Sequence, residues 1–185
     1  MGVIGKIKKN KKMERWSDEI LAKFKGLDAL EIGALDGMTS VYLSKYFRRV
    51  FVIDPWDGRQ QGVPEKYNIF LNNTKNYSNI FHCRTGSETQ EAKNFLANID
   101  DFQLEFCFID GFHTADFVIN DFLLSEKYVI NEGEVWVDDC DHGPVNDGAK
   151  FIEKRTDYEE KPHFTLPLSV WNDSITYLRV FKKKI

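Results

Sequence analysis

Short apolar runs alternate with amphipathic ones along most of this chain. "ALEIG" (29–33), "VFVID" (50–54), "IFHC" (80–83), "LEFCFID" (104–110) and, after an "NEG" turn, "EVWVD" (134–138) read as buried strands. Between them, 39–47, about 65–76, 87–99 and 114–129 repeat apolar residues at helical spacing. Ser87 would cap the 87–99 helix, with acidic residues in its first turn. A helix over 145–155 is weakened by Gly148. A short opening helix, Ser17 to Phe24, would take Ser17 as N-cap and carry Ile20, Leu21 and Phe24 on one face. Near the end, "HFTLPL" (163–168) and "ITYLRVFK" (175–182) flank "WNDS", which predicts two strands paired antiparallel. Strands and helices alternating at this length imply right-handed βαβ units, hence a parallel sheet with helices on both faces.

Composition adds limits. At 185 residues the chain suits one domain, 16–185, preceded by a basic segment over 1–15 that includes "KIKKNKK". A net charge of −4 argues against a nucleic-acid partner. Cys83, Cys107 and Cys140 are odd in number and lack CxxC spacing, which fits reduced thiols of a cytoplasmic protein. The sequence shows neither a signal-peptide pattern nor an apolar run long enough for a membrane span.

Twice, an apolar run ends in carboxylates: "FCFIDGFH" at Asp110, and "VWVDDCDH" at Asp138 and Asp139. Asp54 closes the second strand in the same way. In an open α/β sheet, ligands bind outside the carboxyl ends of the strands, so all four acids would share one rim. Gathered without compensation, they would repel.

The stretch "ALEIGALDGMTS" (29–40) ends a strand and opens a helix, with Gly33 and Gly37 in the turn. Glycines let backbone approach a ligand closely, and a helix start offers free amides to an anion. The dinucleotide fingerprint G-x-G-x-x-G fails here, because its middle glycine position is Leu35. Glu31, Gly33 and Gly37 instead form E-x-G-x-x-x-G, with Asp54 downstream and "TGS" (85–87) after the third strand.

This pattern resembles motif I of the class I S-adenosylmethionine-dependent methyltransferases, and the likeness runs from about Leu27 to Phe181. "FIDGFHTADFVINDF" and "EGEVWVDDCDHGPVNDGAKFI" look like the macrocin O-methyltransferase group and, more distantly, catechol O-methyltransferase. The resemblance implies a Rossmann-like three-layer α/β/α sandwich with a mostly parallel seven-stranded sheet and an antiparallel C-terminal strand. It implies S-adenosyl-L-methionine as cofactor, with Glu31, Gly33, Ala34, Gly37 and Thr39 at its methionine end and Asp110 beside it. Asp54 takes the ribose and Ser87 the adenine neighbourhood. Trp56, two residues past the ribose acid, either lies against the adenine or is a core tryptophan.

Adjacent strand ends lie about 4.8 Å apart. Asp110, Asp138 and Asp139 could therefore converge on one hard cation at about 2.1 Å per oxygen, Mg²⁺ or Mn²⁺. Such an ion would relieve their repulsion and acidify an acceptor hydroxyl. His113, at the spacing where the catechol-type enzyme carries its base, either accepts the hydroxyl proton or orients Asp110. His142 is a weaker candidate, and Cys140 does not suit an oxygen-rich site.

The reading is a metal-dependent O-methyltransferase acting on a sugar or other small hydroxylated acceptor. A metal-independent methyltransferase and a non-catalytic module of the same fold are the alternatives. Only one short helix fits before the first strand, so the acceptor's cover would be missing, supplied by a second subunit or built from the 55–64 loop, and a homo-oligomer is compatible with the sequence.

Overall fold

The computed structural model describes residues 21–24, 27–58, 66–161 and 177–185. In chain order its elements are β1 (Asp28–Ile32), α1 (Met38–Leu43), β2 (Arg49–Ile53), α2 (Tyr67–Thr74), β3 (Ile80–Cys83) and α3 (Gln90–Ala97). There follow β4 (Leu104–Ile109), α4 (Ala115–Ser125), β5 (Val129–Val137), α5 (Gly143–Glu153), β6 (Tyr158–Glu160) and β7 (Arg179–Lys183). The sheet has seven strands in the order β3-β2-β1-β4-β5-β7-β6. Strands β1 to β5 pair in parallel, while β7 runs antiparallel to both β5 and β6.

Both faces of this sheet are buried, which is why its strands read as continuous apolar runs. Leu30, Phe51, Cys107, Ile109, Val135 and Phe181 face α3, α4 and α5, meeting Leu96, Val118, Phe122 and Ile152. Their chain neighbours Ala29, Val50, Val52, Phe106, Phe108, Trp136 and Val180 face the other way, onto Leu43, Phe47 and Phe70. Leu21 and Phe24 close that second layer, and Leu21 and Ala22 are helical. The period-2 alternation thus divides one sheet between two cores. Residues 17–20 of the expected opening helix lie outside the described residues.

Several elements differ from the sequence pattern, each for a local reason. Thr89, not Ser87, caps α3, its Oγ1 accepting from the Ala92 amide at 3.1 Å. The "NEG" residues lie inside β5, not before it: Glu132 takes φ 69°, and the β4–β5 register shifts between Leu104 and Phe106. Gly148 is no helix breaker, because a Cβ there would sit 2.6 Å from Val118 Cβ. The bare backbone lets α5 press onto α4, and the contact outweighs glycine's poor propensity. The outer partner of β7 is Tyr158–Glu160. "HFTLPL", its expected partner, lies outside the described residues. Among the described residues no helix is long and apolar enough to cross a membrane. All three cysteines are free thiols.

Candidate active site

A cleft of about 300 Å³ opens at the carboxyl ends of the central strands. Its floor begins at Gly33, where β1 ends. The φ of +90° and the space both require glycine there, since a Cβ would lie 2.1 Å from the Asp110 carbonyl oxygen. Asp110 is itself fixed by its amide, which donates to Ile32 O at 2.9 Å. The ends of β1 and β4 are thus in direct backbone contact.

Asp54 organises the loop above β1. Its Oδ2 accepts from the Ala34 and Leu35 amides at 2.9 and 3.0 Å, and its Oδ1 from the Trp56 amide at 2.7 Å. Burial pushes the carboxyl above its usual range, against the pull of those amides. Leu35 is held with φ 51° and 40% exposed at the cleft mouth. The acid expected at a ribose therefore also serves as the latch that shapes the glycine loop.

The expected cofactor set divides. Gly33, Asp54, Trp56, Ser87 and Asp110 line the cleft, whereas Glu31, Ala34, Gly37 and Thr39 are not among its lining residues. Glu31 is buried and accepts a hydrogen bond from Ser40 Oγ, tying β1 to α1. At Gly37, with φ +78°, a Cβ would meet Phe70 at 2.6 Å, so this glycine admits α2 against the loop. The Trp56 ring is 3% exposed and packs on Phe70, Tyr67 and His82, while its Nε1 donates to Leu35 O at 2.7 Å. Its ring is packed in the core and fixes the loop, while the residue also lines the cleft.

In the same cleft, Asp110, His113 and Asp139 each offer one ligand atom, all within 4.8 Å of one another. His113 Nε2 lies 3.3 Å from Asp139 Oδ2. Asp138, the third acid of the expected trio, is buried and stands outside this group. The physical cause is the chain's direction after β5. Asp138 continues the strand, its amide bonded to Ile109 O, while Asp139 turns into a left-handed conformation with φ 54° and faces the cleft. Ligands at about 2.1 Å from a divalent ion lie ~3–4 Å apart, so two carboxylate oxygens and an imidazole nitrogen suit such an ion. His142 lies close by, its ring 5.9 Å from that of His113.

Asp121 lines the cleft and was not singled out from the sequence. It is 1% exposed, and burial pushes its carboxyl up to about 7, against hydrogen bonds from Ser87 and Asn120. The signal available in "FVINDFLLS" was an acid on the same helical face as Val118, Phe122 and Ser125, a place where charge is rarely buried without purpose.

Comparison with known proteins bears on what such a cleft holds. The family model described as a methyltransferase domain matches residues 30–140. A search of curated proteins found no match. Among solved structures, the O-methyltransferase TomG from Streptomyces achromogenes, in complex with SAM, is similar with a TM-score of 0.67 at 14% identity, over 95% of this chain and 80% of that one. An O-methyltransferase from Bacillus cereus in complex with SAH gives 0.67 at 12%, over 94% and 80%. An rRNA methylase from Streptococcus thermophilus gives 0.64 at 12%, over 97% and 99%.

Proposed function

This chain belongs to the methyltransferase-domain family, and on that premise we propose that it moves a methyl group from S-adenosylmethionine to a hydroxyl oxygen of a sugar or other small hydroxylated metabolite. One observation carries the reading: a latched glycine loop adjoins, in one cleft, a proton-accepting, charge-bearing trio, Asp110, His113 and Asp139. Two of the similar structures are O-methyltransferases holding SAM or SAH.

Methyl transfer from a sulfonium is an in-line displacement, so the protein must chiefly align the acceptor and remove its proton. The His113 imidazole takes that proton, and the Asp139 carboxylate, whose Oδ2 lies 3.3 Å from Nε2, stabilises the resulting imidazolium. The Asp54-latched loop orients the donor through its backbone. A second reading rests on the same trio as a metal group. When bound there, Mg²⁺ or Mn²⁺ would be held by Asp110, His113 and Asp139 and would make the acceptor hydroxyl more acidic. Asp57, Glu88, Asp110 and Asp139 all line the cleft, a negative field that favours a neutral polyol over a phosphodiester.

Calorimetric titration of the purified protein with S-adenosylhomocysteine, with Mg²⁺, with Mn²⁺ and with EDTA, tests the reading. It is to be followed by transfer of labelled methyl to a panel of hydroxylated sugars. Saturable binding and label in an ether product support it. A protein that binds no S-adenosylhomocysteine under any of these conditions would overturn it.

A further inference from the structure

A second recess lies just past the trio, and methyl transfer itself makes no use of it. This groove, of about 380 Å³, runs between α5 and strands β6 and β7, from Cys140 and Tyr177 to Glu153 and Glu160. It begins one residue beyond the cleft. Asp139, in its left-handed conformation, lines the cleft, and the next residue, Cys140, lines the groove. The Cys140 amide donates to Tyr177 O at 2.8 Å, which seats Tyr177 beside that turn.

Two properties decide what the groove can hold. The first is charge. Arg179 donates to the two oxygens of Glu160 at 2.7 and 2.6 Å, and to Glu153 Oε2 at 2.7 Å. With Lys150 the lining carries two cations against two carboxylates, so an ion of either sign finds no net attraction there. Arg179 Nη1 also donates to Asn146 Oδ1 at 3.1 Å, so Asn146 presents its amide hydrogens to a ligand. Guanidinium, carboxylates and amide, held by one another, form a fixed set of donors and acceptors suited to neutral hydroxyls.

The second property is an aromatic face. Tyr177 is 44% exposed, one of the few large apolar side chains left at the surface of the described chain. A ring bordered by mutually paired polar groups fits a pyranose, whose C–H face is apolar and whose rim is hydroxyls. A phosphate would find the cations already matched. An apolar chain would strip water from the charged groups without replacing its hydrogen bonds.

We infer that this groove is a second sugar subsite: the ring to be methylated lies at Asp110, His113 and Asp139, and the adjoining ring of a neutral glycoside lies on Tyr177. The inference rests on the proposed O-methyl transfer and deepens it, because it names an acceptor of at least two rings. Contact with the second ring holds the first in line with the donor, and remote binding of this kind raises the rate of the chemical step.

The test measures kcat/KM for transfer of labelled methyl to matched glycosides: methyl glucoside beside methyl maltoside and methyl cellobioside, and methyl galactoside beside methyl lactoside. The wild type is expected to favour a two-ring acceptor over its one-ring counterpart by about 10-fold or more, the scale of one ring contact. Tyr177→Ala should bring that ratio below about 2-fold, whereas Tyr177→Phe, which keeps the ring, should hold it within about 2-fold of the wild type. Tyr177 is exposed, so neither substitution threatens the fold. No two-ring preference in the wild type, or the same preference in Tyr177→Ala, would overturn the inference. So would binding of S-adenosylhomocysteine with no label in any of these glycosides, an outcome that leaves the cofactor reading standing. A protein that binds no S-adenosylhomocysteine at all overturns the proposed function and this inference with it.

Discussion

His113 Nε2 and Asp139 Oδ2 stand 3.3 Å apart, across the turns that follow β4 and β5. The contact joins residues 26 positions apart in the chain, and it forms because β4 and β5 pair in parallel with their carboxyl ends level, Ile109 opposite Val137. It also makes one nitrogen eligible for two tasks. A neutral imidazole can ligate an ion or accept a proton at Nε2, but it cannot do both at once.

Metal binding separates these tasks. Asp110→Asn and Asp139→Asn should each abolish Mn²⁺ binding followed by electron paramagnetic resonance. His113→Ala should weaken Mn²⁺ by roughly 10- to 100-fold and Mg²⁺ by less, because imidazole contributes more to transition metals than to magnesium. Asp138→Asn should leave metal affinity within about threefold and instead lower the melting temperature, since Asp138 is buried. The reverse pattern, with Asp138 essential and His113 dispensable, would restore the oxygen-only site that the sequence suggested.

Two glycines at opposite ends of the steric scale predict opposite outcomes. Gly33→Ala forces a Cβ to 2.1 Å from the Asp110 carbonyl oxygen at φ +90°. It should cost at least ~3 kcal/mol and displace Asp110 from the cleft floor. At Gly143 nothing lies within 4 Å of an added Cβ. Gly143→Ala, at the start of α5, should be neutral or stabilising by up to ~1 kcal/mol. Chemical denaturation of both variants beside the wild type decides the matter, and equal losses would contradict the backbone contact described here.

Asp121 gives stability a pH dependence of known sign. Its carboxyl is raised from 3.8 to about 7 in the folded chain. Between those values the native state holds a proton that the unfolded state has lost, so stability falls as pH rises through this window and levels off above it. Asp121→Asn removes the effect. Its melting temperature should match the wild type near pH 4 and exceed it increasingly up to pH 8, by up to ~4 kcal/mol in stability. A constant offset at every pH would show that the carboxyl does not titrate in this range.

How legible the molecule was can be judged from particular residues. The strands at 29–33, 50–54, 80–83 and 104–110 were readable because a sheet buried on both faces leaves unbroken apolar runs, and the acids ending them had to lie on one rim. Gly33 was readable as a tight approach of backbone. The reason for it, the Asp110 carbonyl, was not, since that oxygen arrives from a strand more than seventy residues away.

By itself, then, the sequence determined the layer order, the edge at which the cleft opens and most of the acids around it. Periodicity and strand-end chemistry are local properties, written within a few residues of one another. Tertiary structure alone decided which of Asp138 and Asp139 turns to the cleft, that His113 joins Asp139, that Trp56 belongs to the core, and that Asp121 underlies Gly111. Each of those depends on a backbone angle or a crossing of elements that no local pattern encodes. A one-residue change in direction at a strand end moves a side chain from the interior to the ligand.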